Sequence, residues 1–294
     1  MGPWAQSRRS GVGPLVVEDD DLWRLRSGPI LAAVSDGSSL LVELRAAGAD
    51  EGIGLFGVVD TGEFDATQPC GRRIAERRAS CGTVIVLGTG GPESFSRVKR
   101  RAGGALREPH PRYHPIDDWS RRIAEALAAR LRDAGHDCEL ALPTGRRPLN
   151  FRQLAEAAGL GVVSPVLGHL LHPRFGPWVS LRAALLVDGR PFGRVTTPAL
   201  DFAPCCGCPR PCVTACPVAV YRDPARADHE GCARHRIGGG CDEGCAALHA
   251  CPLGHEHRYS AEEERFRNRY ALFTMRRWLG VGAWRLLPSR WRRR

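Results

Sequence analysis

The sequence predicts an α+β protein: a layered α/β domain over residues 29–200, then a cysteine-rich module over 201–260 and a basic C-terminal helix over 261–294. Three observations carry this. Short β-branched runs alternate with helical patterns in the first two thirds of the chain. Nine of the twelve cysteines fall between Cys205 and Cys251. Ten arginines and no acidic residue follow from Arg265 to Arg294, whereas acids and bases balance before that point.

Residues 1–28 are rich in glycine, proline and charge without periodicity and read as a loose arm. Leu40, Leu41 and Leu44 sit at helical spacing and predict a helix over 38–47. A strand follows over 54–59. Thr83 to Leu87 is a continuous apolar run bounded by Gly82 and Gly88, as expected of a strand covered on both faces. The glycine-rich stretch Gly88-Thr89-Gly90-Gly91-Pro92 then reads as a tight turn; a phosphate cradle is the competing reading, but Pro92 spoils the dinucleotide fingerprint. Residues 92–115 read as a polar loop. Asp117 or Asp118 caps a helix to Asp133, with Ile123, Leu127 and Leu131 on one face and Gly135 past its end. A strand over 138–142, a helix from 148 to 158 and one long strand or two short ones over 178–187 complete the domain. Pro198 and Pro204 bracket a linker.

Of the 294 residues, 43% are hydrophobic and 25% charged, which excludes wholesale disorder. No apolar run is long enough to span a bilayer, because arginines interrupt the most apolar late stretch. Ser7-Arg8-Arg9 resembles the start of an export signal, but the apolar run after it is short and ends in Glu18-Asp19-Asp20-Asp21. The expectation is therefore a cytoplasmic protein whose thiols stay reduced.

The cysteines form two groups. The first is Cys205-x2-Cys208-x3-Cys212-x3-Cys216-Pro217. The second is Cys232, then Cys241-x3-Cys245-x5-Cys251-Pro252. Short loops let three thiolates wrap one iron–sulfur cube, and the fourth comes from a distant cysteine followed by proline, which in two-cluster ferredoxins belongs to the other cluster. Crossing the two Cys-Pro ligands assigns Cys205, Cys208, Cys212 and Cys251 to one [4Fe-4S] cluster. Cys216, Cys232, Cys241 and Cys245 then hold a second. Cys206 is left over. Structural zinc sites and disulfides are the rival readings. Paired knuckles typical of zinc are scarce, since only one pair has the Cys-x2-Cys spacing. His235, His249, His255 and His257 lie close by as alternative ligands or proton carriers, or as ordinary surface or supporting side chains. Cys70, Cys81 and Cys138 read as small buried apolar residues.

Ala158-Gly159-Leu160-Gly161, the run Leu171-His172-Pro173-Arg174-Phe175-Gly176-Pro177-Trp178 and the cysteine order together resemble epoxyqueuosine reductase, a family related to cobalamin-dependent reductive dehalogenases. The resemblance implies a nitroreductase-like α/β domain followed by a two-cluster ferredoxin-like module. It also implies a cobalamin in the α/β domain that receives electrons from the clusters, and hence a reductase. The chain departs from the family near Gly145, where Pro143-Thr144-Gly145-Arg146-Arg147-Pro148 holds no carboxylate in place of the family's proton-donor aspartate. The family's C-terminal helical repeats are also missing.

Phe266, Tyr270, Phe273 and Arg277 recur at helical spacing, so the tail begins as a helix. Its arginines and tryptophans suit an anionic membrane surface or the phosphates of a nucleic acid, or one side packs on the α/β domain. A redox partner protein is expected for the clusters. The alternatives to a two-cluster redox protein are a carrier without a cofactor in its α/β domain and a zinc-stabilised module that holds nucleic acid through the tail.

Overall fold

The computed structural model describes residues 37–104, 106–107, 114–145, 149–198, 200–223, 227–286 and 288. The arm predicted over 1–28 lies outside them.

The fold is a mixed α+β structure built on a four-stranded sheet in the order β1-β2-β6-β3. The strands are β1 (Leu55–Asp60), β2 (Cys81–Gly90), β3 (Cys138–Ala141) and β6 (Val179–Asp188), and all three pairings are antiparallel. Ile85 stands opposite Val58 on one side and Leu185 on the other. Both Ile85 and Leu185 are fully buried, and each such side chain contributes about 2 kcal/mol by leaving water.

Successive strand residues face opposite sides, and both sides are covered. Leu55, Val59, Val84, Val86, Ala184 and Leu186 share a core with Phe151, Leu154 and Ala155 of helix α5 (Phe151–Ala157). On the other face, α4 (Pro115–Asp133) packs on β6 and β3 and α1 (Gly37–Asp50) packs on α4. The Cys138 thiol there donates to the Ala128 carbonyl at 3.6 Å. A two-stranded hairpin, β4 (Val162–Val163) with β5 (Leu170–Leu171), leads from α5 back toward β6.

Several local features differ from the sequence reading. Residues 93–101 are not loop but helix α3 (Glu93–Arg101). It buries only Ser94, Phe95 and Val98, and its four basic residues masked that short apolar face. The cap of α4 is His114, whose Nδ1 accepts the Asp117 N–H at 3.3 Å, and Pro115 opens the helix. The glycine run turns only at its end: Gly88, Thr89 and Gly90 finish β2, and the chain bends at Gly91 (φ 65°) and Pro92. A Cβ on Gly90 would lie 2.3 Å from the Phe175 ring, so that glycine serves close packing, not phosphate. A short helix α2 (Thr61–Ala66), capped by Asp60, was not anticipated. The strands predicted over 54–59, 138–142 and 178–187 and the helices over 38–47 and 148–158 fall within a few residues of their places, whereas the β4–β5 hairpin and the short helices after the linker were not anticipated.

After the linker come three short helices: α6 (Pro211–Thr214), α7 (His229–Ile237) and α8 (Ala246–His249). A 3-10 turn (His255–His257) leads into the long α9 (Ala261–Leu279), followed by a second 3-10 turn (Gly282–Leu286). Among the described residues no helix is long and apolar enough to cross a membrane.

Candidate metal centre

The cysteine module has its own small core. Cys212, Val220, Tyr221 and Ala247 are buried there, with Val166 and Leu167 from the β4–β5 turn. Cys216, Cys232 and Cys245 pack against it.

Each cysteine is placed by an identifiable backbone feature. Cys208 precedes Arg210, which takes the left-handed conformation (φ 55°) and turns its N–H onto the Cys208 sulfur at 3.4 Å. A non-glycine residue pays about 1–2 kcal/mol for that conformation. Pro211 then starts α6, which carries Cys212 inward. Pro217 cannot continue a helix, so the chain turns after Cys216, with Ala219 also left-handed (φ 52°). Cys232 rides on α7, whose first turn is capped by Asp228. Cys241 is itself left-handed (φ 56°). Cys245 is the residue that opens α8. Cys251 is buried just before Pro252. All three left-handed non-glycine residues among those described lie in this module.

The thiols fall into two neighbourhoods. Burial pushes the Cys212 thiol up, and Cys251, Cys208 and Cys205 push it further. Cys251 is raised first by burial and then by Cys205 and Cys208. In the second neighbourhood burial raises Cys232, Arg236 opposes this, and Cys245, Cys216 and Cys241 add to the rise. Cys245 is raised by burial and by Cys241. Tyr221 stands between the neighbourhoods: burial raises its hydroxyl, and Cys245, Cys232, Cys216 and Cys212 contribute. Cys206 is exposed. Among the described residues no three cysteine, histidine or carboxylate side chains close on one point as the ligands of a single ion do.

Ser164 was missed by sequence reasoning. It is 2% exposed, and its Oγ accepts the N–H groups of Val166 and Leu167 at 3.2 and 3.1 Å. Its own hydrogen is left to point at the Cys205 sulfur, 3.5 Å away. A lone serine in a hairpin turn offers no sequence signal of such a contact.

The histidines near the cysteines have structural partners. His249 Nε2 lies 3.2 Å from Glu264, and its ring stands edge-on to Trp178 at 5.1 Å. His257 pairs with Glu256 and stands edge-on to Phe175. His255 contacts Arg258 at 3.4 Å. The His235 ring packs beside Gly240. Of the other cysteines, Cys81 and Cys138 are buried as expected, but Cys70 is exposed, in the polar turn after α2.

The stretch Leu171–Trp178 is a compact turn. His172, fully buried, accepts the N–H groups of Arg174 and Phe175 on Nδ1 at 3.0 and 3.2 Å. Burial holds its imidazole neutral, with a pKa down at about 3. The turn sets Phe175 on Gly90 and Trp178 between His249 and Tyr259. Tyr259 in turn touches Ser180 at 3.1 Å, and the Arg267 guanidinium lies 4.3 Å from its ring centre. The sheet end nearest the cysteines is therefore packed with aromatic and arginine side chains. Two cavities of about 430 and 560 Å³ open at the opposite end, beside Asp60, Cys81 and Arg190.

A layered antiparallel sheet followed by a cysteine module defines the fold class, and solved structures share it. In fold the chain is similar to solved structures of epoxyqueuosine reductases and of a reductive dehalogenase. A selenomethionine-labelled epoxyqueuosine reductase is 16% identical with a TM-score of 0.55, covering 78% of this chain and 69% of that one. The Bacillus subtilis epoxyqueuosine reductase is 17% identical with a TM-score of 0.55, covering 77% of this chain and 68% of that one. A catabolic reductive dehalogenase in complex with 3-bromo-4-hydroxybenzoic acid is 19% identical with a TM-score of 0.51. That match covers 88% of this chain but 38% of the dehalogenase. No family model and no curated protein matches the chain.

Proposed function

We propose that this protein is an iron–sulfur electron carrier holding two [4Fe-4S] clusters. Cys205, Cys208, Cys212 and Cys251 would bind one, and Cys216, Cys232, Cys241 and Cys245 the other. What supports the reading is the pair of cysteine groups, each closed by Cys-Pro, gathered in one small module in which Cys212 and Cys251 are buried. The hydrogen bond from the Arg210 N–H to the Cys208 sulfur, and the Ser164 contact with Cys205, would favour the more negative, reduced cluster. Tyr221 and its apolar neighbours would keep water from the cubes.

The shared fold supports an oxidoreductase theme. A reductase that takes the electrons at a corrinoid held in the α/β domain is the alternative within the same theme, and the cobalt content of the purified protein separates the two. Electrons would pass from one cluster to the other and on to a partner protein. Anaerobically prepared protein should be brown, with visible absorbance that bleaches on dithionite and returns on reoxidation. A colourless protein after anaerobic reconstitution with iron and sulfide would overturn the reading.

A further inference from the structure

We propose that the end of α9 and the turn after it form a docking surface for an anionic phospholipid bilayer. The first half of the helix belongs to the body of the protein. Phe266 is buried against Phe95 and His114, the Tyr270 ring lies 4.4 Å from His114, and Lys99 pairs with Glu262 at 2.7 Å. The second half turns outward. Trp278, Val281 and Leu286 are 39%, 38% and 81% exposed, and with Val42 they are the exposed large hydrophobic side chains among the described residues.

This exposure belongs to a folded end. Gly280 takes the left-handed conformation (φ 68°), and the Val281 N–H returns to the Arg276 carbonyl at 2.9 Å, the pattern that closes a helix at glycine. Trp284 then folds back on Phe273, ring centres 5.2 Å apart, and Arg277 lies over its face. One tryptophan of the turn is thus spent on holding it, while Val281 and Leu286 are held outward.

The chemistry of the surface names its occupant. Arg276 and Arg285 are exposed beside these side chains, and no acidic residue occurs from Arg265 to the last residue, Arg294. Arginine beside tryptophan and aliphatic side chains is the composition of segments that lie in the headgroup layer. A nucleic acid would use the arginines and stack on Trp278, but it would leave the exposed Val281 and Leu286 without an apolar partner.

The test is co-sedimentation of the full chain with vesicles of phosphatidylcholine mixed with phosphatidylserine, against phosphatidylcholine alone. Binding to the mixed vesicles is expected, weakened by salt. The pair Val281→Asp and Leu286→Asp should abolish it, and Arg276→Ala and Arg285→Ala should weaken it about fivefold each. All four side chains are exposed, so unchanged thermal unfolding of each variant checks that the loss is not misfolding. No binding to the mixed vesicles, or binding that Val281→Asp and Leu286→Asp leave intact, would overturn the proposal. So would binding of a transfer RNA in preference to vesicles, lost with the arginines but not with Leu286.

Discussion

The Ser164 hydroxyl is held by two backbone N–H groups and aims its hydrogen at the Cys205 sulfur. One side chain thereby ties the hairpin of the α/β domain to the first cysteine of the module. Ser164→Ala removes the contact to sulfur and leaves two buried N–H groups without an acceptor. Denaturant unfolding should show a loss of about 1–3 kcal/mol. A redox titration should show one cluster shifted to more negative potential, because a donor to the thiolate is lost. An unchanged potential would remove Ser164 from any role at the cluster.

The eight proposed ligands and Cys206 separate cleanly by substitution. Cys206 is exposed, and Cys206→Ser should keep the full iron content. Cys212→Ser or Cys232→Ser should each cost about half of the iron. Iron analysis of the three variants checks the assignment, and loss of iron from Cys206→Ser would show that the ligand is Cys206 rather than its neighbour.

Gly90 has no room for a methyl group, since Phe175 occupies the place. Gly90→Ala should destabilise the protein by about 1–3 kcal/mol through overpacking. Phe175→Ala in the same chain should recover part of that loss in denaturant unfolding, whereas phosphate should not alter it.

How much of this was readable in the sequence depended on contact range. β2 and β6 were legible because both faces are covered, so every residue of their central runs is apolar. α3 was hidden because three buried side chains anchor it while Arg97, Lys99, Arg100 and Arg101 dominate its composition. Spacing and the two Cys-Pro endings suggested which cysteines share a neighbourhood. Ser164, the left-handed Arg210 and the packing of Phe175 on Gly90 were invisible, since each depends on residues brought together by the fold.

Glu263 is fully buried between Arg182 on β6 and Arg267 on its own helix, with Glu264 beside it. Burial pushes its carboxyl up to about 7 from 4.5, and the two arginines only partly oppose this. The native state therefore keeps a proton that the unfolded chain releases above about pH 4.5. This contribution to stability is complete below pH 4.5 and is lost as pH rises toward 7, on the order of 3 kcal/mol. Glu263→Gln should flatten that part of the profile. Chemical unfolding of both proteins across this pH range measures the difference, and parallel profiles would contradict it.

The central claim is that the eight thiolates hold two iron–sulfur cubes, and metal content tests it most directly. Iron, zinc, cobalt and acid-labile sulfide should be measured per chain in anaerobically purified protein. The account predicts about eight iron with matching sulfide, and no zinc. About two zinc without iron, from cells grown with ample iron, would contradict it and leave a structural zinc module.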